Sequence, residues 1–362
     1  MFKKTFLLLS IFILFYGCKN NKEKTENSVN IENFVDKKDI LDNEKENSEY
    51  TIKTILGKSY YESSKEIYNP NMDKLKSLVN LFSQDELSEL IEEIRINFYS
   101  LGIDETDLLF LEYFPHLKRL KIIGGKNVNI EGLKYLHNLE QLELSHINIY
   151  NISSISNLVS LKILTLYGLL EIKDISPIAG LKSLEKLYLM DLESVNDISA
   201  ISNLKTLEYL KISNSRSYND ISDSIDNLNP IFEITNLKIL ELPIDRKKID
   251  IKNIIKLKNL EYLKININSQ AEINLISDLL NLKEFVIWFG NFNDVTPLLR
   301  LNKLEDIDFP KGLYIDIMPL AASKSLKHIR IDHNPEEWYE FLDNGYKLFV
   351  ENDINISIYD WR

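Results

Sequence analysis

The feature that most constrains this chain is an apolar motif, L-x-x-L-x-L, in which Ile or Phe replaces some of the leucines. The motif starts at ten places: Leu117, Leu139, Leu161, Leu184, Leu207, Leu237, Leu260, Leu282, Leu304 and Leu326. The steps between successive starts are 22, 22, 23, 23, 30, 23, 22, 22 and 22 residues. Chance does not produce nine consecutive steps of which eight lie within one residue of each other, so the motif indicates a repeat protein.

Each repeat predicts a short strand, followed by a turn and a short helix or extended segment that returns the chain to the next strand. One unit cannot bury its own leucines, but stacked units share a continuous core in which each Leu or Ile contributes about 1.5–3 kcal/mol. The predicted fold is therefore an α/β solenoid, a leucine-rich-repeat horseshoe with about ten repeats. Parallel strands line its concave wall and the return segments line its convex wall.

The return segments support this prediction because three of them are copies of one element, at 151–158, 174–181 and 197–204, with a looser copy at 294–298. Asp, Ser and Thr are residue types that favour the start of a helical turn. Pro177 suits a first helical turn, where no backbone donor is lost.

With these residues in view, the segment from Leu117 to about Ile331 resembles the 22-residue leucine-rich repeats of bacterial internalin-like surface proteins. The resemblance implies the horseshoe fold, and adhesion or host-surface binding as one function. The chain departs from that family three residues after the last strand leucine, where the family has asparagine. Ile147 and Leu169 occupy this place in the second and third repeats.

The amino terminus has the pattern of an export signal. Lys3 and Lys4 precede an apolar run over 6–16, and Gly17 then precedes Cys18, the single cysteine of the chain. The run is too short to span a bilayer, and no stretch of about 20 apolar residues occurs elsewhere. We expect residues 1–17 to be a signal peptide.

Residues 15–18, Phe-Tyr-Gly-Cys, resemble the lipobox of bacterial lipoproteins, although Phe15 and Tyr16 depart from its commonest residue types. The resemblance implies that Cys18 is acylated with palmitate-type chains and anchors the chain to a membrane of the cell envelope, predicted to be at the outer surface. An ordinary signal peptide with an accidental cysteine and an uncleaved anchor are the alternatives. The polar residues that follow predict a flexible tether over 18–50.

Separate elements are expected at both ends of the repeats, which we place at 117–334, because an exposed solenoid end leaves core leucines wet. Apolar residues at helical spacing over 72–98 predict a helical N-terminal cap region at 51–116, with Ser83 or Asp85 as a helix N-cap. This cap is expected to pass into a first irregular strand near 94–98. A C-terminal cap at 335–362 is predicted to hold a short helix at 335–342 and a closing strand at 352–359.

One step is longer than the others, and its extra residues fall near 223–232 on the convex side. They are either an added recognition element or a tolerated insertion in a solvated return segment.

The second, fourth and sixth residues after each first leucine are expected to point out of the concave wall. Aromatic residues at these places are Tyr167, Tyr188, Tyr209, Tyr262 and Trp288, and they are interleaved with Lys186, Lys211 and Lys264. Such a composition is typical of protein-binding hot spots, so we predict that these eight residues bind a protein ligand. The alternative is that the aromatic residues only stabilise the sheet through cross-strand contacts.

Catalysis, cofactor or metal binding, and nucleic-acid binding are not expected. With Cys18 acylated no thiol nucleophile remains, and the sequence contains no H-E-x-x-H, G-x-S-x-G or P-loop motif and no zinc-ligand spacing. We therefore predict no enzymatic activity, no cofactor and no metal. The formal net charge of −12 also disfavours nucleic acid as a partner.

An acidic patch is predicted toward the carboxyl end from Glu284, Asp306, Asp308 and Asp332. It attracts a basic partner or a weakly held divalent cation, or it is only solvated surface. The sequence as a whole predicts a membrane-anchored protein-binding scaffold, with a surface adhesin as one form of it. The rival prediction is a periplasm-facing scaffold that organises envelope proteins of its own cell.

Overall fold

The computed structural model describes residues 60–61, 66–68, 78, 81–101, 105–213, 225, 227–242, 251–310, 313, 315–332 and 346–359. The predicted signal peptide, Cys18 and the tether lie outside the described residues, as does the helix predicted at 335–342. Within the described ranges, no helix is both long enough and apolar enough to cross a membrane.

A single open sheet dominates the described part of the chain. The strands, numbered in chain order, are β1 (Tyr60–Tyr61), β2 (Glu66–Tyr68), β3 (Glu93–Asn97), β4 (Glu105–Asp107), β5 (Arg119–Ile123), β6 (Asn127–Asn129), β7 (Gln141–Ser145), β8 (Ile163–Tyr167), β9 (Lys186–Met190), β10 (Tyr209–Ser213), β11 (Ile239–Leu242), β12 (Tyr262–Ile267), β13 (Glu284–Gly290), β14 (Asp306–Phe309), β15 (His328–Asp332) and β16 (Asn355–Tyr359). Fourteen of these described strands form the main sheet in sequence order, and β4 and β6 form a separate pair. Neighbours from β2 to β16 run parallel, while β1 is antiparallel to β2.

The register follows the leucine motif. Lys186 lies opposite Tyr209 and Leu187 opposite Leu210, so residues at equivalent positions of adjacent repeats pair across the strands. The long step does not interrupt this order, because Tyr209 pairs with Ile239. All ten first leucines of the motif have exposed fractions of 5% or less. The predicted parallel sheet over a leucine core is therefore confirmed.

The sheet extends beyond the segment in which the motif is visible. Ile67 of β2 lies opposite Ile94 of β3, and Ile94 lies opposite Leu120 of β5. The predicted boundary at 116/117 thus separates strands of one sheet. At the other end β16 pairs in parallel with β15, where the sequence predicts a closing strand.

Short helices occupy the return segments. The 3-10 helices are Leu109–Tyr113, Glu131–Tyr135, Ser153–Ile155, Ser176–Gly180, Ser199–Asn203, Lys252–Lys256, Thr296–Arg300 and Met318–Ala322, and the α-helices are Gln84–Leu90, Phe98–Leu101, Asn229–Phe232, Gln270–Ile276 and Tyr346–Glu351. Ser83 caps the first α-helix in a capping box with Glu86, as its sequence predicts.

Seven of the described 3-10 helices begin where an Asp or Asn side chain accepts a hydrogen bond from the backbone two residues later. The backbone N–H of Ser199 donates to Asp197 at 2.7 Å, and that of Thr296 donates to Asp294 at 2.8 Å. The hydrogen bonds from the backbone and hydroxyl of Ser199 hold the pKa of Asp197 below its usual value. These Asx turns are the reason that Asp recurs at the start of the repeated return segments.

The place of the family's asparagine is filled by apolar packing, because Ile147 and Leu169 are buried. A different side-chain ladder joins neighbouring repeats, at the residue just before the first leucine. Its hydrogen bonds to backbone carbonyls of the preceding repeat run from Asn138 Nδ2 to Pro115, from Asn236 Nδ2 to Lys205, from Asn259 Nδ2 to Thr235 and from Asn281 Nδ2 to Lys258, at 3.1, 2.7, 3.0 and 2.8 Å.

Candidate functional site: the exposed face of the sheet

The exposed face is the surface formed by the first, third and fifth residues of the repeat strands. In β9, Leu187 and Leu189 are buried, whereas Lys186 is exposed and Tyr188 is half-buried. The strand register aligns the second and fourth residues after each first leucine as two columns, as the sequence predicts. Side chains alternate between core and solvent with the period of two that a strand imposes.

The column of sixth residues is interrupted in β7, where Ser145 was expected to point outward but has an exposed fraction of 3%, and again in β12. Asn266 was expected to point outward, but its exposed fraction is 8%, and the register shifts between Ile265 and Ile267. That prediction is wrong at the point where β13 bulges: from Ile287 to Gly290 β13 advances three residues while β12 advances two, from Ile265 to Ile267, so the regular pairing of the two strands is lost there. Trp288 of β13 nevertheless projects from the face and is 48% exposed.

At the amino end, the face carries an ion cluster of Glu66, Glu93, Arg95 and Arg119. Glu93 lies between Arg95 Nε, at 2.5 Å, and Arg119 Nε, at 2.6 Å. Arg95 Nε also lies 3.2 Å from Glu66. Burial raises the pKa of Glu93, but the hydrogen bonds from Arg119 and Arg95 outweigh it and leave that pKa lowered. We call this group the amino-terminal ion cluster.

The centre of the face is aromatic. The rings of Tyr188 and Tyr209 lie 4.8 Å apart with an interplanar angle of 36°. Lys186 and Lys211 are their direct cross-strand partners, so the four side chains form a square on β9 and β10. Lys211 Nζ contacts Glu241 at 3.1 Å, and the hydroxyl of Tyr209 donates a hydrogen bond to the same carboxylate. Burial, with Glu241, raises the pKa of Tyr209 strongly, so this hydroxyl stays a donor.

Farther along the face, Lys264 Nζ lies 4.5 Å from the ring centroid of Trp288, which is the geometry of a cation–π contact. Phe289, the next residue, is also exposed. Tyr262 is half-buried, and its pKa is raised to about 12 by burial and by the carboxylates of Glu241 and Glu284. The eight predicted side chains therefore lie on one surface, although only some of them are in contact.

At the carboxyl end, Arg330 contacts two acidic side chains. Its Nε contacts Asp308, and its Nη2 lies 3.1 Å from Glu284. Burial raises the pKa of both Asp308 and Glu284 despite that arginine. We call Glu284, Asp308 and Arg330 the carboxyl-terminal ion cluster.

The predicted acidic patch is therefore partly neutralised by Arg330, and Asp306 lies 3.1 Å from His328 Nδ1. Among the described residues, no group of three or more acidic, histidine or cysteine side chains is arranged to hold a metal ion.

Two aromatic residues on this face were not predicted. The ring of His146 lies 4.4 Å from that of Tyr167, and the hydroxyl of Tyr99 donates to the His146 carbonyl at 3.3 Å. His146 has a φ of 53°, a left-handed conformation at the end of its strand. The sequence does carry a signal for this, because His146, Tyr167, Tyr188 and Tyr209 are spaced 21 residues apart.

Comparison with known proteins establishes the fold of this chain. Its structure is similar to that of an internalin (inlF) from Listeria monocytogenes, with a TM-score of 0.58, 20% identity and coverage of 86% of this chain and 93% of that one. The chain has the leucine-rich-repeat fold. A second similarity is to TLR13 in its complex with ssRNA13, with a TM-score of 0.51, 16% identity and coverage of 80% and 48%, respectively. No protein-family model and no curated protein matches the sequence.

An internalin C2 (inlC2) from Listeria monocytogenes is similar as well, with a TM-score of 0.38, 21% identity and coverage of 77% of this chain and 96% of that chain.

Proposed function

We propose that this protein is a membrane-anchored lipoprotein that binds a partner protein through the centre of the exposed face and has no catalytic activity. The observation that carries the proposal is the patch of half-exposed rings, with Tyr188 stacked on Tyr209 and Trp288 under Lys264. Tyr and Trp bury much apolar area for little conformational entropy, and they dominate the energetics of protein interfaces.

The two ends of the face favour this centre as the contact surface. At both ends the charged groups form ion pairs within the chain, so a partner gains little by replacing those pairs. At the centre, an interface removes aromatic surface from water without breaking more than the Lys211–Glu241 pair. The free energy available for binding is therefore concentrated between β8 and β13.

The similarity to internalins is consistent with binding on this face, but at 20% identity it supports the fold alone. The ssRNA13 belongs to the TLR13 complex, and we do not propose RNA as a partner of this chain. A net charge of −12 opposes association with a phosphate backbone.

The binding site is tested with two tyrosine variants. Intact cells that express the wild type, Tyr188→Ser/Tyr209→Ser or Tyr150→Ser are treated with a cleavable crosslinker, and proteins joined to the chain are quantified by mass spectrometry. Tyr150 is the matched control, because it is an exposed tyrosine outside the face. Specific partners should be recovered equally by the wild type and the control and about tenfold less by the double variant. Equal recovery by all three chains would contradict the proposal.

The lipid anchor at Cys18 rests on the sequence. We expect Cys18→Ala to move the protein from the membrane fraction to the soluble fraction, because one cysteine carries all of the proposed acyl chains. Mass spectrometry of the amino-terminal peptide should show an acylated cysteine in the wild type. An unmodified Cys18 in the membrane fraction would contradict the lipoprotein proposal.

The outer surface is the proposed location, and the periplasm-facing scaffold is the second candidate. Digestion of intact cells with a non-penetrating protease separates them. Loss of the repeats with a periplasmic control intact would support the outer surface, whereas survival until the envelope is broken would contradict it and support the second candidate.

A further inference from the structure

Aromatic side chains cross the exposed face along a diagonal line. Tyr167 is the fifth residue of β8, Tyr188 the third of β9 and Tyr209 the first of β10. Each step therefore moves one strand across and two residues back. His146 and Tyr99 extend the line at the carboxyl edge of the strands through the contacts given above. We call these five residues the aromatic track.

The dimensions of the track follow from sheet geometry. Strands lie about 4.8 Å apart and two residues span about 6.6 Å along a strand, so each diagonal step measures about 8 Å. The two backbone steps from Tyr167 to Tyr209 span about 16 Å, which an extended chain covers with about five residues. The side chains lean together above the backbone, since the ring centroids of Tyr188 and Tyr209 lie 4.8 Å apart and those of His146 and Tyr167 lie 4.4 Å apart.

The track is about one side chain wide. Thr165 and Lys186 border it on one side, and Lys211 and Ser213 border it on the other. Met190, opposite Tyr167, widens the apolar stripe in its middle, and Ile239 of β11, opposite Tyr209, continues it toward Tyr262. Between Tyr167 and Tyr209 the rings form a line bordered mainly by polar side chains, which matches the contact line of a single extended chain.

The charge around the track has a definite sign. The outward positions of β7 to β12 carry Lys186, Lys211 and Lys264 against Glu143 and Glu241, which is 3 − 2 = +1, in a chain whose net charge is −12, and Glu143 contacts Lys121 of β5 at 2.9 Å. Glu241 contacts Lys211 at 3.1 Å. Within the described part of the chain, no carboxylate forms an ion pair with Lys186, the direct neighbour of Tyr209.

We propose that the aromatic track binds an extended acidic segment of the partner protein, with its apolar side chains on the rings and one of its carboxylates on Lys186. This inference rests on the proposed function and specifies the chemistry of the partner. Because Lys186 lies beside Tyr209, the carboxylate belongs at the Tyr209 end of the bound segment.

The test uses peptides as the probe. A displayed library of random peptides is selected against the full chain, purified from membranes in detergent, and the affinity of each enriched peptide is measured by fluorescence anisotropy. Enriched peptides should combine Asp or Glu with aliphatic, aromatic or proline residues. Their affinity should fall at least about tenfold for Tyr188→Ser/Tyr209→Ser, and they should bind Tyr150→Ser as they bind the wild type.

Charge reversal tests the pairing with Lys186. Lys186→Glu should weaken binding about fivefold or more, while Lys173→Glu, a reversal at an exposed lysine of a return segment, should leave it unchanged. Replacing one acid of the peptide with Lys should restore binding to Lys186→Glu. Equal melting temperatures for the four variants exclude loss of fold as the cause.

The inference would be overturned if no peptide is enriched, if enriched peptides are basic, or if their affinities are insensitive to the track. These failures are distinct from failure of the proposed function. If the crosslinked partner of intact cells still depends on Tyr188 and Tyr209 while no peptide binds, the face binds a folded surface and the extended segment is wrong.

Discussion

The two ends of the exposed face are built from the same residue types and behave oppositely. In the amino-terminal ion cluster, Glu93 receives hydrogen bonds from two arginines, and its pKa is lowered. In the carboxyl-terminal ion cluster, one arginine is divided between Asp308 and Glu284, and burial raises the pKa of both acids. The ratio of cations to acids, and not the presence of ion pairs, decides which protonation state the fold favours.

The centre differs from both ends, because its main groups are rings with exposed area. A charged group that is paired inside the molecule has little left to offer a partner, whereas a half-exposed ring does. Along one surface, the ion pairs at the ends therefore join neighbouring repeats, whereas the centre keeps exposed ring area that the proposed interface would bury.

The largest effect is expected from removing the shared arginine. Arg330→Met leaves Asp308 and Glu284 without their common cation and should lower the free energy of unfolding by about 2 kcal/mol. Urea denaturation measures this quantity. Lys327→Met, which removes an exposed partner of Glu305, is the matched control and should leave unfolding unchanged. Equal effects of the two variants on the free energy of unfolding would show that Arg330 does not stabilise both Asp308 and Glu284.

A smaller loss is expected at the amino end. Glu93→Gln should cost about 1–2 kcal/mol at neutral pH, because two charge-assisted hydrogen bonds are weakened. Since the folded pKa of Glu93 lies below its ordinary value of 4.5, its contribution is complete above that value and is lost as the pH falls through the lower, folded pKa. The difference between wild type and variant should shrink below about pH 4.5; a constant difference would contradict the account.

Glu284→Gln should change the free energy of unfolding in the opposite direction to Glu93→Gln. The folded pKa of Glu284 is raised above 4.5, so the folded state takes up a proton before the unfolded chain does, and the contribution of this group to stability rises as the pH falls. Gln mimics the protonated form, so the variant should be as stable as the wild type or up to about 1 kcal/mol more stable at neutral pH. The free energies of unfolding of the wild type and the variant should become equal at acidic pH. Destabilisation at neutral pH as large as that of Glu93→Gln would remove the contrast between the ends.

The smallest effect on stability is expected at the centre. Tyr188→Ser/Tyr209→Ser should change the free energy of unfolding by about 1 kcal/mol or less, because cross-strand pairs on an exposed face contribute little. Hydrogen exchange should leave the amides of β9 and β10 protected. A loss of several kcal/mol would show that these tyrosines hold the sheet together, which is the alternative that the sequence left open.

Much of the fold was predictable because the leucine spacing fixes both period and register. Once Leu184 and Leu207 are aligned, Lys186 must face Tyr209, and the structure agrees. The strand β3 lies where the sequence predicts a first irregular strand near 94–98, whereas β2 was missed because its unit lacks the leucine motif. The bulge of β13 opposite Asn266 was missed because a strand pattern does not reveal an inserted residue.

The site was predictable in composition but not in its contacts. The sequence identifies Glu284 and Asp308 as acids on one surface, but only the side-chain geometry shows that Arg330 lies between them. His146 was missed because its side chain reaches the face through a left-handed backbone rather than through strand alternation.

The central claim, binding through the centre of the exposed face, is tested most directly by photo-crosslinking in the cell that makes the protein. A photoreactive amino acid is placed at Thr165, on the face beside Tyr188, or at Ser153, on the return-segment helix of the preceding repeat. The account predicts a protein adduct from position 165 and none from position 153. Adducts from position 153 alone, or none from position 165, would contradict it.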